Sequence, residues 1–388
     1  MQAHTSSTLF IDGFRRSSSL VFTTMFILFL AKWITVPFIS VYVRSLGLSI
    51  YETGVVAAAL GAGLLVFEPM WGVLSDKGWK TKILIYSCLA HLLTFYLFSQ
   101  VRDLPSLSAV RLLEGSAVSA TGVSTRSLIE SLSQKKGRAF GLWWGVASLA
   151  SLVGPMVGGY LAGMEYRLLF YTGMGLAVMA LLMSLLILEP KVEPVEAEES
   201  ESRVGFKAIA IASFIVIFPF FSRSVVNSFL PVYVKESASF SASELEIGLI
   251  FTVIGFTAIP AQTVLGEVSD RVDRRLLISP GMLLNCLVLA LIPAASDIAQ
   301  MYLLAVLYSV SRAAVNPPLM ALMAENVASS KRGTAIGIYG AAEDMGLLIG
   351  PLVAGYTYQN YSPATAFHLS SVFILLGAVC TYALLKKM

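Results

Sequence analysis

Gly72-Val73-Leu74-Ser75-Asp76-Lys77-Gly78-Trp79-Lys80 interrupts two long apolar runs, and Gly266-Glu267-Val268-Ser269-Asp270-Arg271-Val272-Asp273-Arg274-Arg275 does the same 194 residues later. A short charged loop with a leading glycine, present twice, marks a duplicated unit. The runs on either side are about 20 residues long, the length that crosses a hydrocarbon core. In such a loop the glycine (Gly72, Gly266) allows close helix approach and the aspartate (Asp76, Asp270) can cap a neighbouring helix N-terminus. The bases Lys77, Lys80, Arg271 and Arg274 hold the loop at a membrane face.

The repeat extends outward from these loops. Phe38, Val41, Tyr42 and Val43 return as Phe229, Val232, Tyr233 and Val234, and Glu52 and Gly54 return as Glu246 and Gly248. Lys136-Gly137 returns as Arg332-Gly333. Twelve apolar segments are expected to span a membrane as helices, because lipid offers the backbone no hydrogen-bond partners. They fall near 19–41, 54–75, 82–101, 104–129, 138–162, 167–188, 208–234, 247–268, 276–296, 299–325, 333–357 and 364–386, and are numbered here as spans 1 to 12. The fold class predicted is an all-α membrane protein of two pseudo-symmetric six-helix bundles. The first half covers 1–188, an acidic linker covers 189–207 with Glu193, Glu196, Glu198, Glu199 and Glu201 beside Pro190 and Pro194, and the second half covers 208–388. A duplicated six-helix unit implies two bundles that rock about a site between them.

Composition agrees. The 388 residues are 56% hydrophobic and 13% charged, with mean hydropathy +0.76, against about one quarter charged in a soluble domain. Net charge is +3 with no contiguous basic face, which sets nucleic acid aside. Cys88, Cys286 and Cys380 lie in apolar runs and show neither metal spacing nor a disulfide framework. No nucleophile–base set, metal-ligand cluster or phosphate-cradling loop is present, so neither an enzyme nor a cofactor or metal is expected. The first apolar run lacks a small-residue cleavage site and reads as a retained helix. Basic residues in short loops set orientation: eighteen, including Arg15, Lys77, Lys135, Arg203, Arg274 and Lys386, fall on one side, and only Arg44, Arg102, Arg167 and Lys235 on the other. Both termini and the linker are therefore expected in the cytoplasm, in an inner cell membrane, with lipid and a small-molecule substrate as partners and a monomer as the assembly.

The paired loops, with Arg111-Leu112-Leu113-Glu114-Gly115 in span 4 and Gly154-Pro155-Met156-Val157-Gly158-Gly159 in span 5, resemble the major facilitator superfamily over essentially the whole chain. Span 11 echoes the span-5 run as Gly350-Pro351-Leu352-Val353-Ala354-Gly355. The family's loop signature places a glycine three residues after the aspartate, where this chain has Trp79 and Asp273. The resemblance implies alternating access, spans 1, 4, 7 and 10 lining a central cavity, and, through the span-5 run, drug/proton antiport. The span-5 run also has a purely structural reading, since small residues serve helix packing in general.

Ionisable residues inside membrane helices cost about 2.5–3.5 kcal/mol each and face the bundle interior with partners. Here they are Lys32, Glu68, Arg111, Glu114, Arg223, Arg312, Glu343 and Asp344, with Arg126 near enough to an end to snorkel. Lys32 and Arg223, 191 residues apart, are symmetry mates, and two facing cations repel unless an anion lies between them. A substrate with an anionic group is one reading, with Lys32, Trp33, Arg111, Arg223 and Arg312 binding it. Internal bridges to Glu68, Glu343 or Asp344 are the other. Proton coupling requires a buried carboxylate near a cation, and Glu68, Glu114, Glu343 and Asp344 are the candidates. Arg111 and Glu114 share a helix face, either as a switchable pair or as a permanent bridge. The functions that follow are proton-coupled export of anionic or zwitterionic amphipathic compounds, proton-linked uptake of an organic anion, or a receptor that transports nothing.

Overall fold

The computed structural model describes residues 2–133, 136–187, 206–325 and 332–385. The expected acidic linker lies outside the described residues except for Phe206 and Lys207, which begin a helix. Span 1 is two helices, Gln2–Thr35 and Ile39–Ser45. Spans 2 to 6 are Ile50–Asp76, Lys80–Gln100, Leu104–Ser131, Lys136–Met164 and Tyr166–Ser184. Spans 7 to 12 are Phe206–Glu236, Glu244–Ser269, Arg275–Leu291 with the 3-10 turn Ile292–Ala294, Ile298–Glu325, Arg332–Asn360 and Pro363–Leu385.

Span 1 was expected to be continuous. It breaks because Pro37 has no N–H to donate and disfavours helical backbone at Val36. Phe38 N then donates to Thr35 O at 2.9 Å instead of reaching back a full turn. The break lies just beyond Lys32 and Trp33.

Among the described residues, eleven helices are long and apolar enough to cross a membrane. Span 4, with 28 residues, has the length but carries Arg111, Glu114, Arg126 and Glu130. Apart from the exposed Glu130 and the half-buried Arg126, its polarity is internalised. Arg111 pairs with Glu114, and Ser119, Thr121, Ser124 and Thr125 donate to the carbonyls of Gly115, Ala117, Ala120 and Thr121 at 2.6–2.9 Å. Elsewhere large apolar side chains face outward, Val66, Leu182, Phe256, Leu276 and Tyr382 among them. Such a surface is at home only against lipid.

The two halves meet through spans 2 and 11 and through spans 5 and 8. Both crossings are backbone on backbone. A Cβ on Gly54 would lie 2.5 Å from Pro351 O, and one on Gly61 would lie 2.6 Å from Leu348 N. In the mirrored crossing Gly248 abuts Pro155 O, and a Cβ on Gly255 would lie 2.8 Å from Ser151 O. Gly54 and Gly61 shift to Gly248 and Gly255 by 194, while Pro155 shifts to Pro351 by 196, so the contacts obey a pseudo-twofold. Ser49–Glu52 and Ser243–Glu246 form capping boxes that start spans 2 and 8 at the same place in each half, one turn before each glycine.

Among the described residues, hydrogen bonds and ion pairs bridge the two halves at one end only. There Arg44 Nε donates to Glu236 Oε1 at 2.8 Å, Tyr51 N donates to Gln359 Oε1 at 2.8 Å, and Tyr166 Oη donates to Glu244 Oε1 at 2.8 Å. At the opposite end, which holds the 72–80 and 266–275 loops, a Cβ on Gly72, Gly141, Gly145, Gly266, Gly337 or Gly340 would meet nothing within 4 Å. The halves are splayed there.

Candidate functional site

A cavity of about 70 Å³ lies between the halves beside the break in span 1. The first half contributes Lys32, Trp33 and Arg111, and the second contributes Arg223, Ser224, Asn227 and Ser228. Glycines set this geometry. Gly154 packs where a Cβ would lie 2.5 Å from Trp33 Cβ, Gly158 abuts Ile34 O, and a Cβ on Gly159 would lie 2.7 Å from Glu244 O in the other half. Span 5 thus positions span 1 with one face and touches span 8 with the other. A Cβ on Gly115 would lie 2.7 Å from Leu60 O, which seats span 4 against span 2. Gly350 sits 2.8 Å, by the same measure, from Phe221 O on span 7, so the span-11 echo performs the matching task beside Arg223.

Lys32 is half-buried and lies within electrostatic reach of Arg223, Glu114, Arg111 and Asp344. Among the described residues, neither Lys32 nor Arg223 has a carboxylate oxygen within the 4.0 Å of an ion pair. The Arg223 guanidinium stands 5.4 Å over the Phe220 ring instead. Arg111 Nη1 donates to Glu114 Oε2 at 2.6 Å, and both side chains are buried. Internal bridges from Lys32 or Arg223 to Glu68, Glu343 or Asp344 are therefore not formed in this conformation.

The remaining acids lie toward the splayed end. Glu68 is 3.7 Å from Arg126 Nη2, and the Arg126 guanidinium stands 5.2 Å over Trp143. Arg126, expected to reach water, is thus engaged by protein as well. Glu343 and Asp344 feel Glu68 and Arg126 across the cleft, and neither contributes to the cavity wall. Arg312 acts on Arg223 but also stands outside that wall, 5.7 Å over Tyr308. His91 Nδ1 lies 2.8 Å from Ser87 O of its own helix.

The charged loops differ from expectation in two respects. Their glycines Gly72 and Gly266 make no close approach here, because the halves are apart at that end. Their aspartates cap no helix: Trp79 and Arg274 occupy the N-caps of spans 3 and 9 without side-chain caps. Asp270 instead lies 3.6 Å from Arg274, which also binds Glu325. Gly78 supplies the turn with φ +88, a left-handed backbone conformation that glycine adopts without strain. Lys77 and Lys80 flank it, with Lys77 exposed.

Ser224, Asn227 and Ser228 were missed from sequence. Their spacing from Arg223, one to five residues along one helix, was the available signal. The Arg44–Glu236 pair was missed because its partners are 192 residues apart. Part-exposed pairs contribute at most about 1 kcal/mol. Arg44→Ala is therefore expected to raise labelling of a Ser40→Cys cavity reporter from the closed end by up to about fivefold, read with a membrane-impermeant maleimide.

Comparison with known proteins places this architecture. The family model described as Major Facilitator Superfamily matches residues 21–241 and 209–388. The Quinolone resistance protein NorA of Staphylococcus aureus (strain COL) is 21% identical over 355 residues, covering 89% of this chain and 91% of that protein. Multidrug resistance protein 1 of Bacillus subtilis (strain 168) is 23% identical over 377 residues, covering 94% and 95%. A crystal structure of the nucleoside transporter NupG superposes with TM-score 0.82 at 15% identity, covering 95% of this chain and 99% of that one.

Proposed function

The chain belongs to the Major Facilitator Superfamily, and on that premise we propose that this transporter exports small amphipathic organic compounds bearing an acidic group, anionic or zwitterionic, by proton-coupled alternating access. One observation carries the reading: Lys32, Arg111 and Arg223 come from both halves to line one cavity, and the symmetric pair Lys32 and Arg223 has no ion-paired carboxylate. Cations held together in a low-dielectric cleft repel, and a substrate carboxylate or phosphate offsets that repulsion with charge-assisted hydrogen bonds. Trp33 supplies an apolar wall for the rest of the molecule.

Splayed halves at one end and paired halves at the other support a cycle in which the closed end opens as the splayed end shuts. Glu114 against Arg111, and Glu68, Glu343 and Asp344 across the cleft, supply carboxylates whose surroundings change in that exchange, which is what proton coupling requires. The efflux relatives favour export. The basic cavity wall also suits uptake of an organic anion, the second reading. The bias of basic loop residues supports a cytoplasmic splayed end and cytoplasmic termini.

Thermal stabilisation of the purified protein by organic anions, zwitterions and lipophilic cations tests the assignment, with flux in proteoliposomes under an imposed pH gradient. Acids are expected to raise the melting temperature of wild type. In Lys32→Gln/Arg223→Gln, loss of two charged hydrogen bonds at about 1.5–3 kcal/mol each removes that shift and the flux. Equal stabilisation of both proteins by cations or neutral amphiphiles would overturn the anionic reading.

A further inference from the structure

Span 10 presents three polar faces at one depth, and only two of them are satisfied by protein. Ser309 Oγ donates to Ile254 O of span 8 at 2.8 Å. Ser311 Oγ accepts from Asn285 Nδ2 at 3.2 Å, and Asn285 Oδ1 accepts from Ser222 Oγ at 2.7 Å, tying spans 10, 9 and 7 together. The third face is Tyr308, Arg312 and Asn316, four residues apart and so stacked in one stripe. On that stripe Tyr308 Oη, Arg312 Nε and Asn316 Oδ1 are buried atoms without a hydrogen-bond partner among the described residues. Tyr308 is 2% exposed. Its hydroxyl comes near Ser222 Oγ, whose O–H is donated to Asn285 Oδ1 and whose oxygen can still accept.

A buried polar atom left without a partner costs free energy, so three in register on one face point to something that completes them. The stripe is also absent from the other half. Spans 4 and 10 differ by 194 at both ends, which places Glu114, already paired with Arg111, where Tyr308 stands, and Val118 and Gly122 where Arg312 and Asn316 stand. Across from the stripe is Arg223, acted on by Arg312 and Tyr308 and by Glu343, the nearest counter-charge, which forms no ion pair with either arginine.

We propose that Tyr308, Arg312 and Asn316, with Arg223 opposite, form a second-half subsite for an organic anion whose carboxylate or other oxyanion is followed by an N–H or O–H donor. Arg223, Arg312 and the Tyr308 hydroxyl donate to the oxyanion. Asn316 Oδ1, one turn on and about 6 Å along the axis, accepts from the donor. The subsite rests on the reading that the cleft holds substrate, and it specifies which end of the substrate the second half recognises.

The test uses the full chain in lipid nanodiscs with three probes: 4-aminobenzoate, whose carboxylate and amine are spaced to match, benzoate, and methyl 4-aminobenzoate. Wild type is expected to be stabilised by both acids, more by 4-aminobenzoate, and not by the ester. Arg312→Met loses at least tenfold in apparent affinity for both acids, and Asn316→Leu loses only the preference for 4-aminobenzoate. Without any probe, Asn316→Leu melts at or above wild type, because it removes an unpartnered carbonyl oxygen, and Arg312→Met melts close to wild type, because the Met side chain keeps apolar contact with the Tyr308 ring that the guanidinium covers. Lower probe-free melting temperatures show that the groups hold the fold and overturn the proposal, as does unchanged acid binding in Arg312→Met or absence of acid binding in wild type. A protein that binds acids through span 10 yet carries none across liposomes keeps the subsite and refutes the transport reading instead.

Discussion

Arg111→Leu is expected to cost about 3–5 kcal/mol of stability, the penalty for leaving one member of a buried ion pair uncompensated. Glu114 is 2% exposed and its partner is 2.6 Å away. In membrane medium the stranded carboxylate has no water to turn to, so the melting temperature of the purified protein falls sharply. Arg111→Leu/Glu114→Leu recovers most of the loss, since replacing both partners with packed apolar groups is close to neutral. The double variant also decides between the two readings of the pair. Retained proton-driven flux identifies a permanent bridge, and a stable protein that has lost coupling identifies a switch. A single variant as stable as wild type would refute the energetic role of the pair.

Gly54→Leu is expected to force the closed end apart. Even its Cβ would lie 2.5 Å from Pro351 O, on backbone that cannot rotate away. Overpacking of this kind costs about 1–3 kcal/mol in a core. At an interface between two bodies, separation relieves the same clash. Maleimide labelling of the Ser40→Cys reporter from the closed end is therefore expected to rise at least tenfold, which corresponds to about 1.4 kcal/mol, with transport falling to a similar degree. Gly248→Leu, its mate against Pro155, behaves alike. Gly72→Leu and Gly266→Leu are the controls, since both positions face open space here and both leave the labelling pattern and melting temperature unchanged. If all four variants label alike, the crossings do not hold the closed end.

Much of this architecture was legible because lipid restricts the chain so strongly. Long apolar runs, the doubled Asp76 and Asp270 loops and the repeated Glu52-x-Gly54 and Glu246-x-Gly248 were enough for twelve spans in two halves. That last repeat carried more than was read from it, since Ser49 and Ser243 complete a capping box visible in sequence. Gly61 and Gly255 escaped notice because one glycine in an apolar helix looks like any other until its neighbour is known. The symmetric bases were legible through their spacing. Their freedom from carboxylates was not, because Glu343 and Asp344 lie on a helix whose rotation only packing against span 7 determines. The break in span 1 was signalled by Pro37, and the twelve-span pattern concealed it. Span 4 shows the opposite limit: its hydropathy is lowered by polar groups that the fold turns inward and satisfies.

The crossing of span 2 over span 11 has unequal arms. From Gly54 back to Ile50 is about 6 Å of helix, whereas from Gly61 on to Asp76 is about 22 Å. A rigid helix rocking there is a lever with nearly fourfold gain, and span 8 repeats it from Gly248 and Gly255 to Asp270. An ångström of slack where Arg44 meets Glu236 becomes several ångströms at the charged loops, enough to admit or exclude water. In a rocking cycle the bases in those loops would travel farthest for the least work at the latch.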